Sequence, residues 1–256
     1  VFFERNRVAR VYRGGALFNR FFGDPPEDGF CPEEWVASTV RAINGGSTER
    51  GEGVSLLEGT HQPFDAFLKE HPEVIGGRTT LNVLVKVLDS AIRLPVQAHP
   101  DKAFSRQHLN SEHGKTEMWI VLATRGDASV YLGFKKPVTR RAFVDAVASS
   151  ETKPDVLVSL LNEIPVSPGD AYFIPPRMVH AIGAGCLILE VQEPTDFTVQ
   201  PEPMCGEYRL TEFEKYIGLS QDEAMECFDF SESVGESAIN KSRVIPVSSW
   251  LNEFLT

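Results

Sequence analysis

The stretch that decides the fold is Pro168-Gly169-Asp170-Ala171-Tyr172-Phe173-Ile174-Pro175-Pro176-Arg177-Met178-Val179-His180-Ala181. Pro-Gly-Asp turns the chain, and the short apolar run Tyr172–Ile174 reads as a strand. The two prolines end it, because proline brings no backbone N–H to a ladder. The chain then returns so that His180 opens the next strand and faces inward. Strands this short, bracketed by turns and prolines, point to a sandwich or barrel.

Working outward, the same grammar recurs. Leu81, Val83, Val85 and Val87 alternate with Asn82, Leu84, Lys86 and Leu88, a period of two with both faces largely apolar, which predicts a strand deep in the core. Further strands are expected at 118–123, 128–134, 164–166 and 186–192. Helices are expected at 63–70, 137–149 and 155–161, with short ones at 212–216 and 222–227. The first 60 residues are rich in Gly and turn signals and read as short extended segments. The reading is a mainly β protein, a barrel with peripheral helices and a second, incomplete β domain. Its expected division is an N-terminal β segment (1–60) pairing with the C-terminal part, a central metal-binding domain (61–200) and a C-terminal segment (201–256).

Composition bounds the function. The chain has 256 residues, 42% hydrophobic and 24% charged, and Lys plus Arg number 25 against 36 Asp plus Glu, a net charge of −11. That balance, without a basic cluster, argues against nucleic acid or an anionic membrane as partner. No apolar run approaches the ~18 residues of a membrane helix. The start, Val1-Phe2-Phe3-Glu4-Arg5, shows no secretory pattern and no initiator Met, so the chain is expected to be trimmed or incompletely seen there. The expected location is the cytoplasm. Cys31, Cys186, Cys205 and Cys227 are scattered, and are read as buried or half-buried thiols of a reducing compartment. The sequence does not set the oligomeric state.

The chain has six histidines, few enough to weigh singly. His61 and His71 flank a helix as loop or cap residues, and His108 and His113 lie in a polar stretch read as solvated loop. His99 follows Gln97 by two positions, so on an extended segment both project from one face before Pro100 ends it. An amide oxygen and an imidazole so paired can serve as metal ligands, though Q-x-H is common by chance. Glu117 begins a strand two positions before Trp119, which sets a carboxylate at the mouth of an apolar interior. Such a carboxylate needs a cation or several donors to stay charged.

The segment around His180 resembles the second motif of the cupin superfamily, whose histidine binds metal inside a small β-barrel. Together with Gln97-Ala98-His99-Pro100-Asp101, Gly114-Lys115-Thr116-Glu117-Met118-Trp119 and Val179-His180-Ala181-Ile182, it resembles type I mannose-6-phosphate isomerase. Tyr12-Arg13-Gly14-Gly15, Glu34-Trp35 and Leu189-Glu190 through Asp196 extend the likeness over residues 12 to 200. The resemblance implies a cupin-type jelly roll and a zinc-dependent aldose–ketose isomerase interconverting mannose 6-phosphate and fructose 6-phosphate through a cis-enediol. It puts Gln97, His99, Glu117 and His180 at the zinc-ligand positions. Lys115 matches an active-site lysine, and Glu190 and Asp196 match acidic residues that would handle protons. The family's active-site arginine is replaced by Gln200, which keeps hydrogen bonding but loses a fixed charge; Arg209 is a candidate substitute, and Pro95 stands where the family has serine. Two other readings stay open: a catalytically silent sugar-phosphate-binding cupin, and an iron-dependent cupin oxygenase.

Overall fold

The structure, a computed structural model, describes residues 1–44, 51–231 and 234–244. The strands in chain order are β1 (Arg7–Val8), β2 (Glu33–Val36), β3 (Leu84–Ser90), β4 (Glu117–Thr124), β5 (Ser129–Phe134), β6 (Leu161–Pro165), β7 (Ala171–Ile174), β8 (His180–Ile182), β9 (Cys186–Gln192), β10 (Met204–Cys205), β11 (Tyr208–Arg209) and β12 (Arg243–Val244). The helices are α1 (Asn19–Phe22), α2 (Phe64–Glu70), α3 (Lys102–His108), α4 (Arg140–Ser149), α5 (Glu212–Tyr216), α6 (Gln221–Met225) and α7 (Gly235–Ser242).

One antiparallel sheet runs β1-β2-β3-β9-β4-β7-β12, and a smaller one runs β6-β5-β8. Their inner faces meet in one core. Trp119, Val121, Tyr172, Ile174 and Ile188 from the large sheet pack with Val130, Leu132 and Ile182 from the small one. The period-two pattern explains this for β4, whose odd positions from Glu117 to Ala123 are buried while Met118 is exposed. β3 is buried along nearly its whole length, as its two-sided apolar pattern requires. A second core forms on the far face of the small sheet, where α4 lays Phe143 and Val147 against Phe134, Leu161 and Phe228. The fold is mainly β and cupin-type, with helices at its margins, as expected.

The differences have local causes. β3 begins at Leu84 rather than Leu81, because Leu81 is drawn to the cluster of Leu57, Phe64 and Leu68 under α2. The helix expected at 155–161 is a set of turns with a single 3-10 turn at Val158–Leu160. Leu157 and Leu161 are buried as an apolar helix face would be, but Leu161 is taken into β6 opposite Phe134. α4 starts at Arg140, since the Thr139 side chain caps it by accepting from the Ala142 N–H. α5 and α6 both carry capping boxes, Thr211 with Glu214 and Ser220 with Glu223. The expected pairing of the first 60 residues with the C-terminal part is absent from the described ladders. β1 and β2 pair with each other and with β3, while β12 pairs with β7 at the opposite edge. Cys186, Cys205 and Cys227 are buried, but Cys31 is exposed beside an exposed Phe30. Among the described residues no helix is long and apolar enough to cross a membrane.

Candidate active site

The segment 97–99 is threaded between β8 and the strand-like stretch at Val199. Gln97 exchanges both backbone hydrogen bonds with His180 at 2.9 Å, and Ala98 does the same with Val199 at 2.9 and 3.0 Å. Pro100 then accepts from the Lys115 N–H at 2.9 Å, which brings the start of β4 against His99. Gly114 makes that approach possible, because a Cβ there would lie 2.6 Å from the Pro100 carbonyl oxygen. Four sequence-distant segments thus meet through backbone contacts.

His99, Glu117 and His180 converge there, all nearly inaccessible, with one candidate ligand atom from each within 4.8 Å of the others. His99 Nε2 is 3.0 Å from Glu117 Oε1, and His180 Nε2 is 3.9 Å from Glu117 Oε2. Each imidazole is oriented through its other nitrogen: Nδ1 of His99 donates to the Phe197 carbonyl at 3.0 Å, and Nδ1 of His180 to the Met178 carbonyl at 2.8 Å. Those bonds leave both Nε2 lone pairs aimed into the cluster. His180 Nε2 is buried with no hydrogen-bond partner, a cost that a bound cation would remove. Burial pushes His99 down to about 3 and lowers His180, so both rings are neutral and available as ligands. Burial alone would raise Glu117, yet the Lys115 amine 3.0 Å from Oε1 outweighs it and holds the carboxyl well below the ordinary range. Trp119 Nε1 donates to Glu117 Oε2 at 3.1 Å and fixes the carboxylate. Two neutral imidazoles and one carboxylate are a donor set suited to zinc, and Gln97 lies alongside, its side chain on the cavity wall.

Of the trio, Glu117 lines a cavity of about 580 Å³, which Gln97 and Lys115 also line. Lys115 Nζ reaches Glu117 Oε1 at 3.0 Å, His99 Nε2 at 3.3 Å and Thr198 Oγ1 at 3.2 Å. Glu190 and Asp196 line the same cavity beside a buried cation that the sequence reading passed over, Lys86. Its Nζ stands 3.4 Å from Asp196 Oδ1, 3.6 Å from Glu190 Oε1 and 3.8 Å from Glu33 Oε2. Burial and the nearby Glu117 charge push the Glu190 carboxyl up to about 7, despite Lys86 and Lys115. Burial would raise Asp196 too, but Arg10, Lys86 and Lys115 outweigh it and hold this carboxyl low. Arg10 and Glu33, which were not singled out by sequence, are likewise on the wall, as is Tyr12 from the first motif of the family likeness. Lys86 alone gave a local signal, a lysine inside an apolar core strand, which demands partners.

Gln200 lines the cavity, but its side-chain amide donates to the Glu214 carbonyl at 3.0 Å. Arg209 does not reach in as a substitute; it pairs on the surface with Glu151 at 2.7 Å, both more than half exposed. The stretch expected to be solvated loop around His108 is partly α3, which His108 ends with its ring 4.6 Å from Phe104. His61 and His71 are exposed and pair with Glu4 and Glu73.

No family model matches the chain. It is 29% identical over 220 residues to the mannose-6-phosphate isomerase of Streptococcus mutans, covering 84% of this chain and 61% of that protein. It is 33% identical over 133 residues to a mannose-6-phosphate isomerase of Bacillus subtilis, covering 52% of this chain and 38% of that one. By sequence the chain is similar to mannose-6-phosphate isomerases. In fold it is similar to the crystal structure of the mannose 6-phosphate isomerase of Bacillus subtilis, with a TM-score of 0.68 at 24% identity over 90% of this chain and 68% of that one. The apo mannose 6-phosphate isomerase of Salmonella typhimurium gives 0.59 at 16% identity over 91% and 75%. The chain spans between 38% and 61% of the length of the curated mannose-6-phosphate isomerase relatives it matches.

Proposed function

We propose that this chain is a zinc-dependent aldose–ketose isomerase that interconverts mannose 6-phosphate and fructose 6-phosphate through a cis-enediol. The observation that carries the reading is the buried convergence of His99, Glu117 and His180, whose Glu117 lines one cavity together with Lys115, Glu190 and Asp196. Gln97, His99, Glu117 and His180 would hold the ion, which when bound supplies Lewis acidity to the sugar's carbonyl and hydroxyl oxygens. The rest falls to side chains. Isomerisation moves a proton between C1 and C2, and a carboxyl near 7 is well suited to take it and give it back; Glu190 is that group. Asp196, held ionised, orients a substrate hydroxyl by accepting its hydrogen. Lys115 offers an ammonium to the charge that develops on the sugar oxygens. A small sugar phosphate is accordingly the partner, and the cytoplasm the working compartment.

The alternative is a sugar-phosphate-binding protein without turnover. It draws on Gln200, a neutral amide bonded to the Glu214 carbonyl where the resembled family has a charge. The test is isomerisation of mannose 6-phosphate by zinc-loaded protein, with a chelated control, Glu117→Gln, and Gln200→Arg. Turnover that chelator and Glu117→Gln both abolish is the expected result. Zinc bound without turnover in the parent, with activity in Gln200→Arg, would overturn catalysis in favour of binding; silence in both would overturn the sugar-phosphate reading itself.

A further inference from the structure

Asp196 is gripped by a fork from far along the chain. Arg10 Nη1 and Nη2 donate to Asp196 Oδ2 and Oδ1 at 3.0 and 2.8 Å, across 186 positions of sequence. The same guanidinium places Nε 2.9 Å from Glu33 Oε1, donates to Asn44 Oδ1 at 3.0 Å, and lies over the Trp35 ring at 5.3 Å. Its backbone is pinned as well, Arg10 N donating to the Phe30 carbonyl at 2.8 Å. On the other side, Asp196 Oδ2 accepts from the Ile43 N–H at 2.8 Å. Glu33 is in turn held by the Tyr12 hydroxyl and Trp35 Nε1, each at 2.7 Å.

Three features separate this array from a fastening between segments. Arg10, Glu33 and Asp196 all face the cavity rather than a dry seam. A buried ion pair gains little over apolar residues of the same shape, so stability alone gives it slight reason to be there. And the contact is bidentate, which a lysine cannot reproduce.

We propose that Arg10 is a positioning residue for the isomerisation: it clamps Asp196 ionised and in one orientation on the cavity wall, and supplies from the N-terminal segment the fixed positive charge that position 200 does not carry. The inference rests on the isomerase reading for its purpose but not for its measurement. The charged groups facing Asp196 are Arg10, Lys86, Lys115 and Glu33, so removing Arg10 leaves two attractive cations (Lys86 and Lys115) and a repulsive anion (Glu33) in place.

The experiment follows the Asp196 carboxyl by carbon-detected NMR titration, assigned with Asp196→Asn, in wild type, Arg10→Gln and Arg10→Lys. In parallel it records kcat and KM for mannose 6-phosphate against pH. Arg10→Gln is expected to raise the Asp196 midpoint by about one pH unit or more, and to move the acid limb of kcat upward with it. Its kcat should fall by about tenfold or more with KM within about threefold. Arg10→Lys keeps the charge without the fork, so its midpoint stays close to wild type while kcat falls; it carries the test if Arg10→Gln does not fold. An unmoved midpoint in Arg10→Gln overturns the proposal, as does an unchanged kcat in Arg10→Lys. Lost activity with an unmoved acid limb would make Arg10 a merely structural clamp and overturn it too. A wild-type chain with no turnover, but with the midpoint shift, refutes the isomerase reading while upholding Arg10 as the group that keeps Asp196 charged.

Discussion

Gly114→Ala probes whether the site is assembled by the close approach of two backbones. The added Cβ would meet the Pro100 carbonyl oxygen at 2.6 Å and the Asp101 carbonyl carbon and Cα at 3.0 and 3.1 Å. All three are main-chain atoms, so no side chain can swing aside and the two segments must part. Parting them weakens the Lys115 N–H to Pro100 bond of 2.9 Å, worth about 1 kcal/mol. Overpacking strain adds about 1–3 kcal/mol, so the expected loss is about 2–4 kcal/mol. At ~2–4 °C per kcal/mol for a chain of this size, Tm should drop by about 5–15 °C. The same two segments carry His99 and Glu117, which stand 3.0 Å apart, so zinc affinity should fall by about 10–100-fold. Thermal melts and chelator competition on Gly114→Ala read both effects. Gly29→Ala is the control, since nothing lies within 4 Å of its Cβ, and it should melt within about 2 °C of the parent. A Gly114→Ala protein that melts with the parent and binds zinc equally well would refute the close-approach account of the site.

Glu190→Gln removes the carboxyl raised to about 7, so the rise of kcat with pH through neutrality should vanish and kcat should fall by about 10²–10⁴ in a pH–rate series. A surviving limb near 7 would assign the proton transfer elsewhere. Glu33 is held well below its ordinary value by Arg10 and Lys86 against the cost of burial, so its ion pairs stabilise the fold fully above the unfolded value of about 4.3 and are lost as pH falls toward the folded one. Glu33→Gln should therefore cost about 3 kcal/mol at pH 7 and progressively less below pH 4, read from urea midpoints at each pH; a cost independent of pH would contradict the sign. Arg209→Ala breaks only an exposed pair with Glu151, and should change stability by less than about 1 kcal/mol and kcat not at all. A large loss of kcat would restore Arg209 as a charge of the active site.

What could be read in advance was whatever has a local period or a compact motif. Alternation over 81–88 and the strand expected at 118–123 marked the central strands β3 and β4, and the proline-bracketed run ending at His180 marked the turn that brings His180 to the cluster. The apolar spacing of 155–161 misled because Leu157 and Leu161 do point inward, yet the pairing of Leu161 with Phe134 made the end of that stretch a strand; tertiary pairing overrode local period. The ion-pair array around Asp196 had no local signature. Arg10 lies in a segment that reads as turns, and its partner is 186 residues away. Arg209 was tempting because it is near Gln200 in sequence, but the β10–β11 hairpin presents it to solvent. Lys86 was the legible exception, since a lysine that cannot reach water has to find carboxylates.

The deeper reason the charges meet is register. Across β2, β3, β9, β4 and β7 the paired positions run Trp35–Lys86–Glu190–Trp119–Tyr172, a single row on the inward face. The neighbouring row runs Leu84–Gln192–Glu117–Ile174. The Glu190 carboxyl, the buried Lys86 and the Glu117 carboxylate are thereby set on adjacent rungs of one ladder, flanked by the rings of Trp35, Trp119 and Tyr172. A slip of one residue in β9 would turn Glu190 outward and bring Leu189 or Val191 to face Lys86, so the apolar pattern that aligns the core also aligns the charges. The irregularity in the β4–β9 pairing falls between Val121 and Ala123, beyond both rows, so the twist it introduces leaves the rungs that bear Glu117 and Glu190 in step. Selection on the core and selection on the site therefore act on the same strands through the same register, and a variant that loosens β9 should lose the ordering of Glu190 before it loses the fold.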